Sequence, residues 1–394
     1  METRTHKKTG DKLSLLGFGM MRLPKVDPDK QDIDYAAAEE MVEYAFQNGV
    51  NYFDTAYPYH EGMSELFTGH ALAKYPRDSF YLATKMPSWH LAKEEDAPRI
   101  FAEQLDKLKV EYFDYYLCHA IGRSLDDFKS KYIDTKALEY LRQEKAKGRI
   151  RHLGFSFHGE VSVLEELVDY CDWDFCQIQL NYLDWDVQNA KRQYEILEEK
   201  GIPCIVMEPV RGGNLVTLCE ESVNILKAAE PDDSVASWGI RFAATLPNVI
   251  TVLSGMSNLE QVKDNVKTMT GFKPLDDDSL NTLQQALTAY LNTGTIPCTG
   301  CRYCMDCPSG VDIPAVFELY NRCATEHKLP VSFGDKQAQQ ESAKDFIAIY
   351  GSLPAENRAK HCTNCKACLE HCPQSIEIPK KLREIASLAQ TFSL

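Results

Sequence analysis

Phe80-Tyr-Leu-Ala-Thr-Lys-Met86, a helical stretch over 95–109, and Phe113-Asp-Tyr-Tyr-Leu-Cys-His119 make one strand–helix–strand unit. The two apolar runs are short and rich in aromatic residues, as strands are, and the stretch between them has helical spacing. Strands joined through a helix pair in parallel, because a tight turn cannot connect parallel strands. The same alternation continues in both directions. Runs at Leu13–Gly19, Asn51–Thr55, His152–Phe157, Phe175–Asn181, Pro203–Pro209 and Val249–Gly255 alternate with helical stretches near 35–48, 64–75, 134–147, 160–170, 187–200, 232–245 and 258–268. Eight such units in about 260 residues predict a closed (β/α)8 TIM barrel, which we place at residues 1–275. The alternative is an open doubly wound sheet. That fold calls for a glycine-rich phosphate turn after the first strand, and Gly17-Phe-Gly19-Met-Met has no third glycine in register.

The chain has 394 residues, more than the barrel needs, and its 43 basic against 58 acidic residues give a net charge of −15. That balance argues against a nucleic-acid partner. No apolar run approaches the ~20 residues of a membrane span, and the Met1–Lys8 start has no apolar core of a secretory signal. A cytoplasmic location is expected. Of 14 cysteines, nine follow residue 297. In a cytoplasmic chain such a cluster reads as metal ligation rather than disulfides.

In a barrel of this type the residues just after each strand form the active-site mouth. Here they include Asp54, Tyr59, Lys85, His119, Ser156, Asn181, Glu208 and Arg211. A carbonyl reduced by hydride becomes an alkoxide, so a proton donor must stand beside its oxygen. A neutral phenol can donate, and a nearby ammonium would lower its pKa by stabilising the phenolate left behind. Tyr59 is read as that acid, Lys85 as the ammonium, Asp54 as its buried ion-pair partner, and His119 as the hydrogen-bond donor that orients the substrate oxygen. Tyr57 and Tyr52 are nearby phenols, and the five-residue step from Asp54 favours Tyr59.

The motifs Asn51-Tyr-Phe-Asp54-Thr-Ala-Tyr-Pro-Tyr59 with Ser64-Glu65, Leu82-Ala-Thr-Lys85 and Tyr116-Leu-Cys-His119 resemble those of aldo-keto reductases. The resemblance covers residues 12–270 and implies NADP(H) or NAD(H) as cofactor and a small-molecule carbonyl substrate. It implies that Gly154-Phe-Ser156 and the Gln177–Asn181 segment hold the nicotinamide carboxamide. Met207 falls where members of the family often stack an aromatic ring on nicotinamide. Phe157 stands where many have asparagine. In Ser254-Gly255-Met-Ser-Asn-Leu-Glu-Gln261-Val-Lys-Asp-Asn265, Asn265 keeps the expected frame and Gln261 replaces an arginine that often grips the 2′-phosphate. Gln cannot pair bidentately with phosphate as Arg does.

The tail, residues 276–394, carries Cys298-Thr-Gly-Cys301-Arg-Tyr-Cys304-Met-Asp-Cys307-Pro308 and Cys362-Thr-Asn-Cys365-Lys-Ala-Cys368-Leu-Glu-His-Cys372-Pro373. Three thiolates three residues apart wrap three corners of an iron–sulfur cube, and a fourth before proline ligates the other cluster. The first run is one residue short before Cys307. The expected sets are Cys298, Cys301, Cys304 and Cys372 for one [4Fe-4S] cluster, and Cys362, Cys365, Cys368 and Cys307 for a second. Two structural zinc sites are the alternative. Cys323 is read as an ordinary buried thiol. The 54 residues between the runs look helical around 315–326 and 338–350, and 276–291 reads as a joining helix. The tail therefore resembles a helical ferredoxin-like domain, and barrel plus tail resembles the aldo-keto reductase subfamily that carries one.

Two functions follow. One is an oxidoreductase that reduces aldehydes or ketones and carries an electron-transfer domain, with a redox partner protein for the tail. The other is an iron–sulfur redox carrier or oxygen-sensing module using the barrel as scaffold. Nicotinamide moves two electrons together whereas a cluster passes one, and no flavin motif links them. Trp89, Trp185, Glu208 and Arg211 are candidate pocket residues.

Overall fold

In the computed structural model, which describes residues 1–27, 30, 32–305, 307–330 and 336–392, ten strands are found. Strands β1 (Thr3–Thr5) and β2 (Lys12–Ser14) pair antiparallel. The other eight are β3 (Leu16–Gly19), β4 (Tyr52–Asp54), β5 (Tyr81–Pro87), β6 (Phe113–Ile121), β7 (Ile150–Phe157), β8 (Phe175–Gln179), β9 (Cys204–Met207) and β10 (Val249–Ser254). They run parallel and close into a barrel, β10 pairing with β3. This is the expected eight-stranded barrel.

The run Leu13–Gly19, read as one strand, is two. Ser14 Oγ donates to Leu16 O at 2.7 Å and Ser14 N donates to Asn51 Oδ1 at 2.7 Å, which turns the chain at Leu15. Ser14 is one polar residue in an otherwise apolar run, which hides that corner. Leu13 then packs with Tyr52, Tyr115, Phe175, Ile205 and Ile250, so the β1–β2 hairpin closes the N-terminal end of the barrel. Arg4 fastens it: its guanidinium donates to the carbonyls of Ala244, Leu246 (2.6 Å) and Val249 (2.5 Å).

Helices α1 (Tyr35–Gln47), α2 (Met63–Leu72), α3 (Asp96–Leu108), α4 (Leu125–Phe128), α5 (Ala137–Ala146), α6 (Val161–Val168), α7 (Asp184–Val187), α8 (Ala190–Glu199), α9 (Glu220–Ala229), α10 (Val235–Thr245) and α11 (Leu259–Thr270) lie between or after the strands. Their starts follow ordinary capping: Asp34 accepts from Ala37 N at 3.1 Å, and Asn258 from Gln261 N at 2.9 Å. Helices α12 (Asp277–Leu291), α13 (Ile313–Thr325), α14 (Lys336–Gly351) and α15 (Ile378–Thr391) follow. Helices α9 and α15 were not among the stretches read from the sequence. No described helix is long and apolar enough to cross a membrane.

The chain divides into two compact units, residues 1–210 with 236–276, and residues 211–235 with 277–394. The second takes in a segment that lies inside the span read as barrel. Helix pairing explains this: α9 packs along α12, where Ser222 Oγ donates to Ala286 O at 2.7 Å. The core of the second unit joins Val316 and Phe317 of α13, Phe346 and Tyr350 of α14, and Leu382 and Ile385 of α15. Six of the eight paired-run cysteines pack against that core: Cys298, Cys304, Cys307, Cys362, Cys368 and Cys372.

Candidate active site and cysteine sites

Lys85 sits inside the barrel with 1% of its surface exposed. An ammonium there needs charge and hydrogen-bond partners, and β4, the neighbouring strand, supplies them. Lys85 Nζ donates to Asp54 Oδ1 at 2.6 Å and to Thr55 O at 2.7 Å. Burial raises the Asp54 carboxyl and lowers the Lys85 ammonium, with the mutual attraction opposing both shifts. A second layer fixes the strand. Gln104 Nε2 of α3 donates to Lys85 O at 3.0 Å and to Glu65 Oε1 of α2 at 2.7 Å, while Tyr116 Oη donates to Gln104 Oε1 at 2.5 Å. Glu65 is thus a buried brace behind Lys85.

The half-buried Tyr59 ring lies with its centroid 4.9 Å from Lys85 Nζ and 6.2 Å from the His119 ring, at a 79° interplanar angle. Its phenol stands well above its ordinary pKa, through burial first and then the charges of Asp54 and Glu208, with Arg22 opposing. The expected lowering by Lys85 is therefore not the net direction; burial wins, and the phenol is proton-loaded. His119 is pushed well below its ordinary pKa by burial, Lys85 and His158, so its imidazole is neutral. Its backbone is pinned from two sides. His119 N donates to Tyr132 Oη at 2.8 Å, and Tyr132 Oη donates to Met86 O at 2.8 Å. The next residue, Ala120, has φ 54°, where β6 breaks register with β7 between Cys118 and Ile121. A non-glycine residue in that region marks strain at a functional turn, here the one that presents His119 to the mouth.

Ser156 Oγ accepts from Ala120 N at 2.8 Å, which leaves its own proton to donate. Gln177 Nε2 reaches Met207 Sδ at 3.4 Å, and its buried Oε1 has no partner among the described residues. An orphaned acceptor beside a free hydroxyl proton fits a carboxamide. Asn181 differs: its amide donates to Asp184 Oδ2 (2.6 Å) and Glu208 O (3.0 Å), and its oxygen accepts from Leu183 N and Asp184 N, so it holds a turn. At the end of β10 a Cβ on Gly255 would stand 3.2 Å from the Arg22 side chain, so glycine keeps a cradle open there. Asn265 Nδ2 donates to Ser254 Oγ at 2.9 Å. Gln261 is exposed and its Oε1 accepts from Ser257 N at 2.7 Å, bracing the start of α11.

Of the pocket candidates, Trp89 is 46% exposed with its ring 5.1 Å from His119. Trp185 instead packs on Phe242 (5.5 Å) and Tyr194 (6.1 Å), between helices. Glu208, at φ 57°, pairs with Arg22 at 3.2 Å. Arg22 and His158 were not singled out from the sequence. Arg22 joins the site through a pairing with a residue 186 positions away. His158 has a signal of sorts in its place, two residues past Ser156.

In the second unit the cysteines fall into two electrostatic neighbourhoods. Cys298 and Cys304 feel Cys301 and Cys372; Cys368 feels Cys362, Cys365 and Cys307. This grouping parallels the crossed sets expected from the sequence. Burial pushes the Cys298 and Cys368 thiols up to about 11 and Cys304 to about 12. A cavity of about 330 Å³ is lined by Cys304, Cys307, Cys362, Cys365 and Cys368. Among the described residues no three His, Cys, Asp or Glu side chains gather into a single-ion site. Arg211, read as a pocket residue, donates to Pro297 O at 3.2 Å and Gln374 Oε1 at 2.9 Å, and Asn214 Nδ2 to Cys298 O at 2.5 Å. Both brace the chain leading into the first run. Cys323 is fully buried in the helical core.

The pattern of the aldo/keto reductase family matches residues 15–288, and that of the 4Fe-4S dicluster domain matches residues 297–377. L-galactose dehydrogenase of Arabidopsis thaliana is 27% identical over 317 residues, covering 74% of this chain and 96% of its own. The NADH-specific methylglyoxal reductase of Escherichia coli is 25% identical, over 65% of this chain and 90% of its own. An aldo-keto reductase of Bacillus halodurans, in its holo form, superposes with TM-score 0.60 at 23% identity over 73% of this chain and 96% of its own. One from Klebsiella pneumoniae, solved with NADPH, does so with TM-score 0.57 at 19% identity over 72% and 95%. At those identities the solved structures speak for the fold alone. With the family pattern spanning the whole barrel, the chain belongs to the aldo/keto reductase family and is an oxidoreductase with a fused 4Fe-4S dicluster domain.

Proposed function

We propose that the barrel reduces a small carbonyl compound with Tyr59 as proton donor, and the observation that carries this is the buried Lys85–Asp54 pair facing the Tyr59 ring. A scaffold has no use for two buried charges, whose desolvation costs several kcal/mol per ion. Tyr59 holds the proton that the substrate oxygen takes. His119, neutral, orients that oxygen through a hydrogen bond. Lys85 offsets the phenolate left behind, and Asp54 keeps Lys85 in place. Ser156 and Gln177 would hold the carboxamide of a nicotinamide dinucleotide, which supplies the hydride when bound. Met207 would border its ring, and Gly255 and Asn265 would shape the phosphate end.

Gln261 offers no positive charge to a 2′-phosphate, which supports use of NADH beside NADPH; a relative is named as NADH-specific. In the second unit the two neighbourhoods would hold two clusters, Cys298, Cys301, Cys304 and Cys372 for one and Cys307, Cys362, Cys365 and Cys368 for the other. A tetrahedral zinc would draw its sulfurs to within about 2.3 Å of one point, and the dicluster pattern over residues 297–377 supports clusters instead. Cys365 is exposed, so the second set is the natural contact for a one-electron redox partner.

The test is Tyr59→Phe. Loss of the acid should lower kcat about 10²–10⁴-fold with dinucleotide binding, read by fluorescence titration, unchanged. Full activity in that variant would end the reading.

A further inference from the structure

Arg22 and Glu208 form an ion pair across the end of a strand that belongs to neither. Arg22 closes the short turn after β3, Glu208 follows β9, and β10 pairs with both of those strands. The pair is 3.2 Å long, with side chains only 24% and 17% exposed. The Arg22 stem lies over backbone that glycine leaves open, since a Cβ on Gly255 would stand 3.2 Å from its Cγ and Cδ. Glu208 takes a φ of 57°, a costly region for a residue with a Cβ, while its carbonyl accepts from Asn181 Nδ2 at 3.0 Å. A partly exposed ion pair returns little stability, so bracing alone does not account for the strained backbone. The mechanism above gives the pair nothing to do.

We propose that Arg22 binds the diphosphate of the dinucleotide, and that Glu208 is the resident anion it leaves in order to do so. In closed eight-stranded barrels, phosphate groups are held by the loops after the seventh and eighth strands, which are β9 and β10 here. The guanidinium fork suits a pair of phosphate oxygens as well as a carboxylate. Glu208 and the diphosphate therefore compete for one cation, and the ion pair is a latch across the cofactor's path. Once the cofactor is seated, the displaced carboxylate stands near like charges, which favours departure of the spent dinucleotide. The inference rests on the proposed use of a nicotinamide dinucleotide, and the experiment separates the two.

NADH is titrated by fluorescence into the full chain without substrate, as wild type, Arg22→Leu, Arg22→Lys and Glu208→Gln. Arg22→Leu should raise Kd about tenfold to a hundredfold, the worth of a hydrogen bond to a charged group, and Arg22→Lys should keep part of the affinity. Glu208→Gln should lower Kd about twofold to fivefold, the worth of a partly exposed ion pair. A pair that only braces the rim predicts weaker binding when either end is removed, so the opposite signs decide. Inorganic diphosphate is the second probe. It should displace NADH from the wild type, at lower concentration from Glu208→Gln, and at much higher concentration from Arg22→Leu. Affinity that shifts the same way in Arg22→Leu and Glu208→Gln, or in neither, overturns the inference and leaves dinucleotide use standing. Should Glu208→Gln fail to fold, equal potency of diphosphate on the wild type and Arg22→Leu overturns it alone. A wild type that binds neither NADH nor NADPH overturns both.

Discussion

Lys85 Nζ stands 4.9 Å from the centroid of the Tyr59 ring while its short hydrogen bonds go to Asp54 and Thr55. The ammonium thus acts on the phenol through space, and its position is set by β4 rather than by Tyr59. The phenol keeps its proton until a substrate oxygen draws on it.

Replacing Lys85 by Met should therefore lower kcat about 10²–10⁴-fold and leave Tyr59 in place. The remaining activity should shift its alkaline limb upward, since the charge favouring phenolate is gone. Asp54→Asn should act chiefly on stability, because it leaves a buried ammonium with a weakened partner, a loss of about 3–5 kcal/mol. Urea unfolding and a pH–rate profile measure the two effects, and a Lys85→Met enzyme with wild-type kcat contradicts the arrangement.

Acid should destabilise the barrel through its mouth. His158 titrates near 4 when folded and near 6.5 when unfolded, and His119 shifts in the same direction. Above pH 6.5 neither state carries the charge, so stability is unaffected. Between 6.5 and about 4 the unfolded chain binds a proton that the folded one refuses. Stability falls across that window, by up to about 3 kcal/mol for His158. Thermal melts at stepped pH should show the fall, and His158→Gln should flatten part of it. Equal slopes in both proteins would assign the fall elsewhere.

Gln177→Leu removes the orphaned acceptor beside Ser156. Dinucleotide affinity should weaken by about 1–3 kcal/mol, seen as a raised Kd for NADH and NADPH alike. Gln261→Arg should instead raise affinity for NADPH over NADH, with a cost of about 0.5–1 kcal/mol at the helix start. Fluorescence titration with both dinucleotides distinguishes the two sites.

The crossed cysteine sets predict which losses go together. Cys372→Ser should disturb the site of Cys298, Cys301 and Cys304, whereas Cys307→Ser should disturb that of Cys362, Cys365 and Cys368. Iron and sulfide should fall in each variant under anaerobic purification, and Cys323→Ser should leave both unchanged. If Cys372→Ser and Cys362→Ser give the same residual spectrum, the sets are not crossed.

The barrel was readable because its strands are short apolar runs at regular spacing, and Asp54, Lys85 and His119 each sit where such a run ends. The spacing of the two cysteine runs is what suggested the crossed sets, and the electrostatic neighbours of Cys298, Cys304 and Cys368 follow the same grouping. Three things were not readable. The corner at Leu15 is hidden inside an apolar run and is made by Ser14 bonds to Leu16 and Asn51. Arg22 meets Glu208 only because the barrel brings the ends of β3 and β9 toward the same opening. The net rise of the Tyr59 pKa depends on how deeply the ring is buried, which a motif does not state. Asn181 and Trp185 carried the right chemistry for a pocket but are used in a turn and in helix packing.

The β1–β2 hairpin has a consequence for how such a protein changes over time. Arg4, Leu13 and Ser14 fasten the end of the barrel opposite Tyr59, Lys85 and His119. Structural integrity and chemistry are thereby lodged at opposite poles. Loops at the catalytic rim can accept altered length and sequence while the closed pole holds the strands in register. New substrates can be acquired by revising one rim, with the closed end serving as an undisturbed keel.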